Sequence, residues 1–128
     1  MNDRADLFRW ITLNGERLSR EQAIDRYMAL TGPRSEDRAW AASIVTTLRD
    51  LGHEAGLHAT TSGTTGPPKK FTIPHADLVA SAQLTARTFG LAEGDRVLHC
   101  LPSDFIAGKM MLVRGFVIGL DLHVIDPR

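Results

Sequence analysis

Polar and apolar residues alternate over residues 11–18, Ile-Thr-Leu-Asn-Gly-Glu-Arg-Leu, with Asn14-Gly15 at the centre. That dipeptide accepts positive φ at both central turn positions, so the pattern predicts a small β-hairpin. Ser19-Arg20-Glu21-Gln22 follows as a capping box, in which Ser19 bonds the third helical N–H and Gln22 reaches back. Ala23, Ile24, Tyr27 and Met28 then form one apolar helical face, and Thr31-Gly32-Pro33 is the expected stop. Ser35 is the next expected cap, with Glu36 and Asp37 in the first turn complementing the helix dipole. Trp40, Ile44, Leu48 and Leu51 recur at helical spacing up to Gly52, which makes Trp40 a core residue rather than a ligand stack.

The second half changes period. Residues 55–60 and 71–73 read as short strands, and residues 75–89 as a helix with Leu78, Val79, Ala82, Ala86 and Phe89 inward and Gly90 as terminator. Residues 96–101 are almost continuously apolar, which predicts a buried strand that contains Cys100. Residues 110–118 read as a helix apolar almost all round, ended by Gly119, and residues 120–125 as the last strand. Strands alternating with helices over short joints predict an α/β fold: a βαβαβ parallel sheet with right-handed crossovers, preceded by two helices. The expected division is an N-terminal hairpin and helical segment at 1–54 and the βαβαβ segment at 55–128.

Charge narrows the function classes. Fifteen Lys and Arg balance fifteen Asp and Glu, so no basic field marks a nucleic-acid partner. A single cysteine cannot build a disulfide framework, which fits a reducing cytoplasm. The chain starts on charged residues, and its longest apolar stretch, 110–120, is about half a membrane span and carries Arg114; neither a signal peptide nor a membrane segment is expected. The five histidines lack ligand spacing, so no protein-held metal is expected.

Chemistry concentrates in residues 61–69: Thr61, Ser62, Gly63, Thr64, Thr65, Gly66, Pro67, Pro68, Lys69. Hydroxyls, turn-permitting glycines and one ammonium, with no acid among them, suit the oxygens of a polyphosphate. The plainer alternative is a Ser/Thr/Gly linker, but strand-like runs pin the stretch on both sides. It is not the common P-loop, because Lys70 follows Lys69 where that motif needs Ser or Thr.

This run resembles the phosphate loop of the adenylate-forming superfamily of acyl-CoA synthetases, luciferases and peptide adenylation domains, and meets it at each of its positions. The resemblance implies activation of a carboxylic acid by ATP to an acyl-adenylate, with Mg²⁺ on the nucleotide's phosphates, and transfer of the acyl group to coenzyme A. It implies that Thr61, Ser62, Gly63, Thr64, Thr65 and Gly66 bind the phosphates and that Lys69 is the catalytic cation.

A second segment, Leu101-Pro102-Ser103-Asp104-Phe105-Ile106-Ala107-Gly108, is expected at the carboxyl end of a strand, where ligands of open α/β sheets bind. It is similar to a family motif that lines the acyl pocket, but Phe105 stands where His is most frequent, which implies apolar contact with the acyl group. Lys109 and Arg114 are cations in an oily helix and must reach water or an anion. With Phe105 and Gly108 they resemble the o-succinylbenzoate–CoA ligase branch of menaquinone biosynthesis, whose substrate has a second carboxylate for a cation to hold.

The resemblance covers residues 55–126 firmly. The family's adenine-framing segment, ribose-binding aspartate and mobile C-terminal domain are not among these residues. The chain is therefore expected to be an N-terminal piece of such a ligase, inactive alone. The alternatives are a non-catalytic assembly module that forms a homo-oligomer, half of a split enzyme that needs a complementing chain, or an inert remnant.

Overall fold

The computed structural model describes residues 7–31, 39–53, 55–60 and 66–125. Strands β1 (Trp10–Leu13) and β2 (Glu16–Ser19) form the N-terminal hairpin, registered Trp10 to Ser19 and Leu13 to Glu16. Asn14 and Gly15 both have positive φ, 52° and 81°, as a type I′ turn requires. Alternation puts Ile11, Leu13 and Leu18 into the core.

The turn is also tied to a strand more than a hundred residues away, β6 (Asp121–Val124). Asn14 Oδ1 accepts from the Val124 amide at 3.0 Å, and the Asp121 carboxylate accepts from the Gly15 amide at 2.8 Å. β1 consequently pairs in parallel with β6.

Helix α1 (Arg20–Met28) starts with the full capping box: Gln22 N donates to Ser19 Oγ at 3.1 Å, and Ser19 N to Gln22 Oε1 at 2.9 Å. Ala23 and Tyr27 are buried, while Met28 is 44 % exposed and so leaves the predicted apolar face. Gly32, Pro33, Ser35, Glu36 and Asp37, read as stop and cap, lie outside the described residues. Helix α2 (Ala39–Leu51) buries Ile44, Leu48 and Leu51, and Trp40 packs edge-on against Tyr27 with ring centroids 6.2 Å apart.

Strands β3 (Leu57–Thr60) and β4 (Lys70–Ile73) precede α3 (His75–Phe89), and β5 (Arg96–His99) precedes α4 (Ile106–Arg114). A π-helical turn, Gly115–Gly119, leads from α4 into β6. The main sheet has the order β2-β1-β6-β5, with β5 and β1 both parallel to β6. The α/β class with a parallel-strand sheet is therefore met, but the βαβαβ order is corrected in one place. β3 pairs antiparallel with β4 in a separate two-stranded sheet. Only residues 61–69 separate them, too few for a crossover, which takes a dozen or more. The parallel neighbours of β6 are β5 and β1, the latter from the N-terminal hairpin.

Three further expectations change. Phe89 is 73 % exposed, because α3 meets the core through Leu78 and Ala82 and its last turn runs past it. Cys100 is exposed rather than buried: β5 is an edge strand that ends at His99, and Leu98 on its outer face is exposed too. The last helix begins at Ile106, four residues before its expected start. Among the described residues no helix is long and apolar enough to cross a membrane.

Gly56 closes β3 onto β4 in a conformation that only glycine adopts readily, φ 113°, and a Cβ there would collide with the Ile73 carbonyl. Gly15 also has positive φ but faces open space. Gly56→Ala is expected to destabilise by about 3 kcal/mol and Gly15→Ala by about 1 kcal/mol; chemical denaturation of the two variants measures the difference.

Candidate active-site cleft

α2, the β3–β4 hairpin and the start of α4 enclose a cleft of about 550 Å³. α2 contributes Ser43, Thr46 and Asp50; the hairpin contributes His58, Thr60, Lys70, Phe71 and Thr72; the third wall is Asp104 and Lys109. Thr60 and Lys70 are partners in the hairpin register, so residues 61–69 leave and re-enter the fold at the cleft's edge. Antiparallel pairing thus fixes both ends of the hydroxyl-rich run beside a charged cavity.

Lys109 is only 7 % exposed. Its ammonium donates to Thr47 Oγ1 at 3.2 Å, and the Thr47 hydroxyl donates in turn to the Ser43 carbonyl at 2.9 Å. The hydroxyl's proton is committed to the backbone, which leaves its lone pairs for the lysine. Burial holds the Lys109 pKa below the ordinary lysine value, and the charges of Asp50 and Asp104 oppose that shift. Asp50 Oδ2 also accepts from the His58 amide at 3.3 Å, and the His58 ring lies 3.0 Å, Nδ1 to Oγ1, from Thr72 on β4. A chain of polar contacts therefore runs from α4 through α2 to both strands of the hairpin.

The segment ahead of α4 is held from behind. His99 and Ser103 are both buried, with Nε2 and Oγ 3.2 Å apart. Gly108 packs so tightly on this segment that a Cβ would strike the Pro102 carbonyl. Asp104 is left exposed at the cleft.

The residues expected to act separate into three groups. Thr61, Ser62, Gly63, Thr64 and Thr65 lie outside the described residues. Gly66 and Lys69 are exposed on the chain that leads back into β4. Lys109 lines the cleft; Phe105, Gly108 and Arg114 are outside its lining. Phe105 is the N-cap residue of α4 and is 57 % exposed, whereas Gly108 is buried. Arg114, in the last turn of α4, places Nη1 3.6 Å from Met111 Sδ, and its Nε is buried without a hydrogen-bond partner among the described residues.

Sequence reasoning missed Thr47, Asp50, His58, Thr72 and Asp104. One signal was available: Ser43, Thr46, Thr47 and Asp50 recur at helical spacing in an otherwise apolar helix, which marks a polar stripe facing something other than core.

Residues 53–128 match the AMP-binding enzyme family. Over 50 residues the chain is 44 % identical to a protein named as fatty-acid–CoA ligase fadD11 in two strains of Mycobacterium tuberculosis, a stretch that spans 39 % of this chain and 9 % of theirs. An acyl-CoA synthetase (AMP-forming)/AMP-acid ligase II-like protein from Dyadobacter fermentans superposes on 80 % of the chain with a TM-score of 0.60 and 37 % identity. o-Succinylbenzoate CoA synthetase from Bacillus subtilis superposes on 98 % with a TM-score of 0.55 and 17 % identity, a likeness of fold. The chain covers 29 % and 43 % of those two structures, respectively.

Burial holds the His99 pKa below the ordinary histidine value. The stability contributed by neutral His99 is complete above about pH 6.5 and is lost as pH falls from there through the lowered folded value. His99→Gln is expected to flatten the fall of the thermal midpoint below pH 6.5, measured against the parent protein at matched ionic strength.

Proposed function

Since the chain belongs to the AMP-binding enzyme family, we propose that it carries the phosphate-gripping part of an ATP-dependent, AMP-forming acid–thiol ligase. One observation carries this reading: the paired Thr60 and Lys70 hold the two ends of a donor-rich run against a charged cleft. The donor set fits a triphosphate tail. The hydroxyls of Thr61, Ser62, Thr64 and Thr65 and the amides of Gly63 and Gly66 hold the β- and γ-phosphates, and Lys69 offsets charge on the departing pyrophosphate. Mg²⁺ bound to the phosphates supplies further neutralisation.

The acid's carboxylate attacks the α-phosphorus, the bond to pyrophosphate breaks, and an acyl-adenylate forms. A thiol, that of coenzyme A, then displaces AMP. The contribution of these residues is positioning and charge stabilisation.

For the acid we propose a carboxylate with an apolar body. Phe105 offers a ring to that body at the start of α4, and Gly108 lets the helix close on the Pro102 segment behind it. A second carboxylate would satisfy Arg114, whose buried Nε lacks a partner among the described residues. o-Succinylbenzoate, and with it menaquinone biosynthesis, is the specific candidate. Lys109 lines the cleft and keeps two N–H donors beyond its bond to Thr47, so it is a further candidate to face a carboxylate of the acid; a second task is taken up below.

Pyrophosphate titrated into the protein is expected to bind with Lys69→Ala weakening the affinity about tenfold, or ~1.4 kcal/mol. Calorimetry checks this, and equal affinity in the parent and the variant contradicts the assignment of Lys69.

A further inference from the structure

We propose that Lys109 is a positioning residue for the β3–β4 hairpin, and through it for Lys69. The inference rests on the phosphate-binding reading above and adds a residue that touches no phosphate.

The argument starts from cost. An ammonium almost wholly enclosed by protein is unfavourable unless its surroundings compensate it. Here one hydrogen bond, to Thr47, and the charges of Asp50 and Asp104 do so. Those partners come from separate elements. Thr47 and Asp50 are on α2, one turn apart, and Asp104 lies on the segment that leads into α4. The second function of Asp50 is to receive the His58 amide at the start of β3, while the His58 ring meets Thr72 on β4. The hairpin's attachment to α2 therefore passes through a carboxylate whose charge Lys109 offsets.

Charge in the cleft leads to the same place. Lys70 and Lys109 balance Asp50 and Asp104 along its walls. Without the ammonium of Lys109, two carboxylates share one cleft with a single exposed cation opposite. Asp50 and Asp104 then repel each other, and each gains by turning towards water. A turn of Asp50 towards water weakens its 3.3 Å bond from the His58 amide. The hairpin shifts, and Lys69, one residue before β4, shifts with it.

The test compares the parent protein with Lys109→Met, which keeps an unbranched stem, one atom shorter, and removes the charge. Thr47→Val is the second variant: it keeps the charge and removes the acceptor, and it stands in if the first fails to fold. Amide resonances of His58 and Thr72 report the hairpin, those of Thr12 and Arg17 in the distant β1–β2 hairpin serve as control, and pyrophosphate titration reports the site. In Lys109→Met the His58 and Thr72 signals are expected to move while the control signals stay, and pyrophosphate affinity is expected to fall at least tenfold. Thr47→Val releases the ammonium from the position at which it faces Asp50 and is expected to move the same signals, by less than Lys109→Met does.

Unmoved His58 and Thr72 signals in a folded variant overturn the proposal, whatever the affinity does; lost affinity without movement assigns Lys109 to direct contact instead. Should the parent protein fail to bind pyrophosphate, the phosphate reading falls, and the hairpin signals alone still decide whether Lys109 positions it.

Discussion

The antiparallel pairing of β3 with β4 is the constraint on which the cleft depends. It brings Thr60 and Lys70 side by side, so the residues between them must start and finish at one place. Glycine-rich, hydroxyl-rich chain has no apolar surface to bury and takes its location from its anchors. Gly56 permits the close approach at the hairpin's open end, and the Asp50 carboxylate holds the next residues of β3 to α2.

Placement of that hairpin draws on the rest of the fold. The main sheet is built around β6, a four-residue strand between β1 and β5. Four residues are few for a central strand, and the Asn14-Gly15 turn reinforces it: Asn14 Oδ1 accepts from the Val124 amide, and the Gly15 amide donates to the Asp121 carboxylate. Asp121 is consequently held below the usual carboxylate range; burial opposes this, and the Gly15 amide, His123 and Arg96 outweigh it. The N-terminal hairpin is thus part of the sheet that carries α4, and α4 carries Lys109 and the neighbouring acyl-side residues. α2 packs between this layer and the β3–β4 hairpin, with Leu57 and Leu48 in one continuous core. Apolar packing supplies the stability, while Lys109–Thr47 ties α4 to α2 and Asp50–His58 ties α2 to the hairpin.

Local signals were legible in the sequence because they act over few residues. The type I′ turn, the capping box and the strand–helix alternation each follow from side chains within one or two turns of backbone. Pairing was less legible. Residues 57–60 fit a parallel or an antiparallel strand equally well, and only the absence of room for a crossover in residues 61–69 separates the two. Exposure was also misjudged at Phe89 and Cys100, since periodicity names the face of an element and not whether another layer covers it. The cleft was half legible. Lys109 stood out as a cation on an oily helix, but its partner Thr47 is 62 residues away and carries no mark beyond a polar stripe on α2. Membership in the family reinforces the donor-rich run, whereas the proposed acid rests on two side chains, Phe105 and Arg114.

A crystal structure of the protein with pyrophosphate tests the central claim most directly. The account predicts phosphate oxygens within hydrogen-bonding distance of the Lys69 ammonium and of the hydroxyls between Thr60 and Lys70, at the edge of the cleft. Pyrophosphate seated elsewhere on the protein, with no contact to residues 61–69, would contradict it.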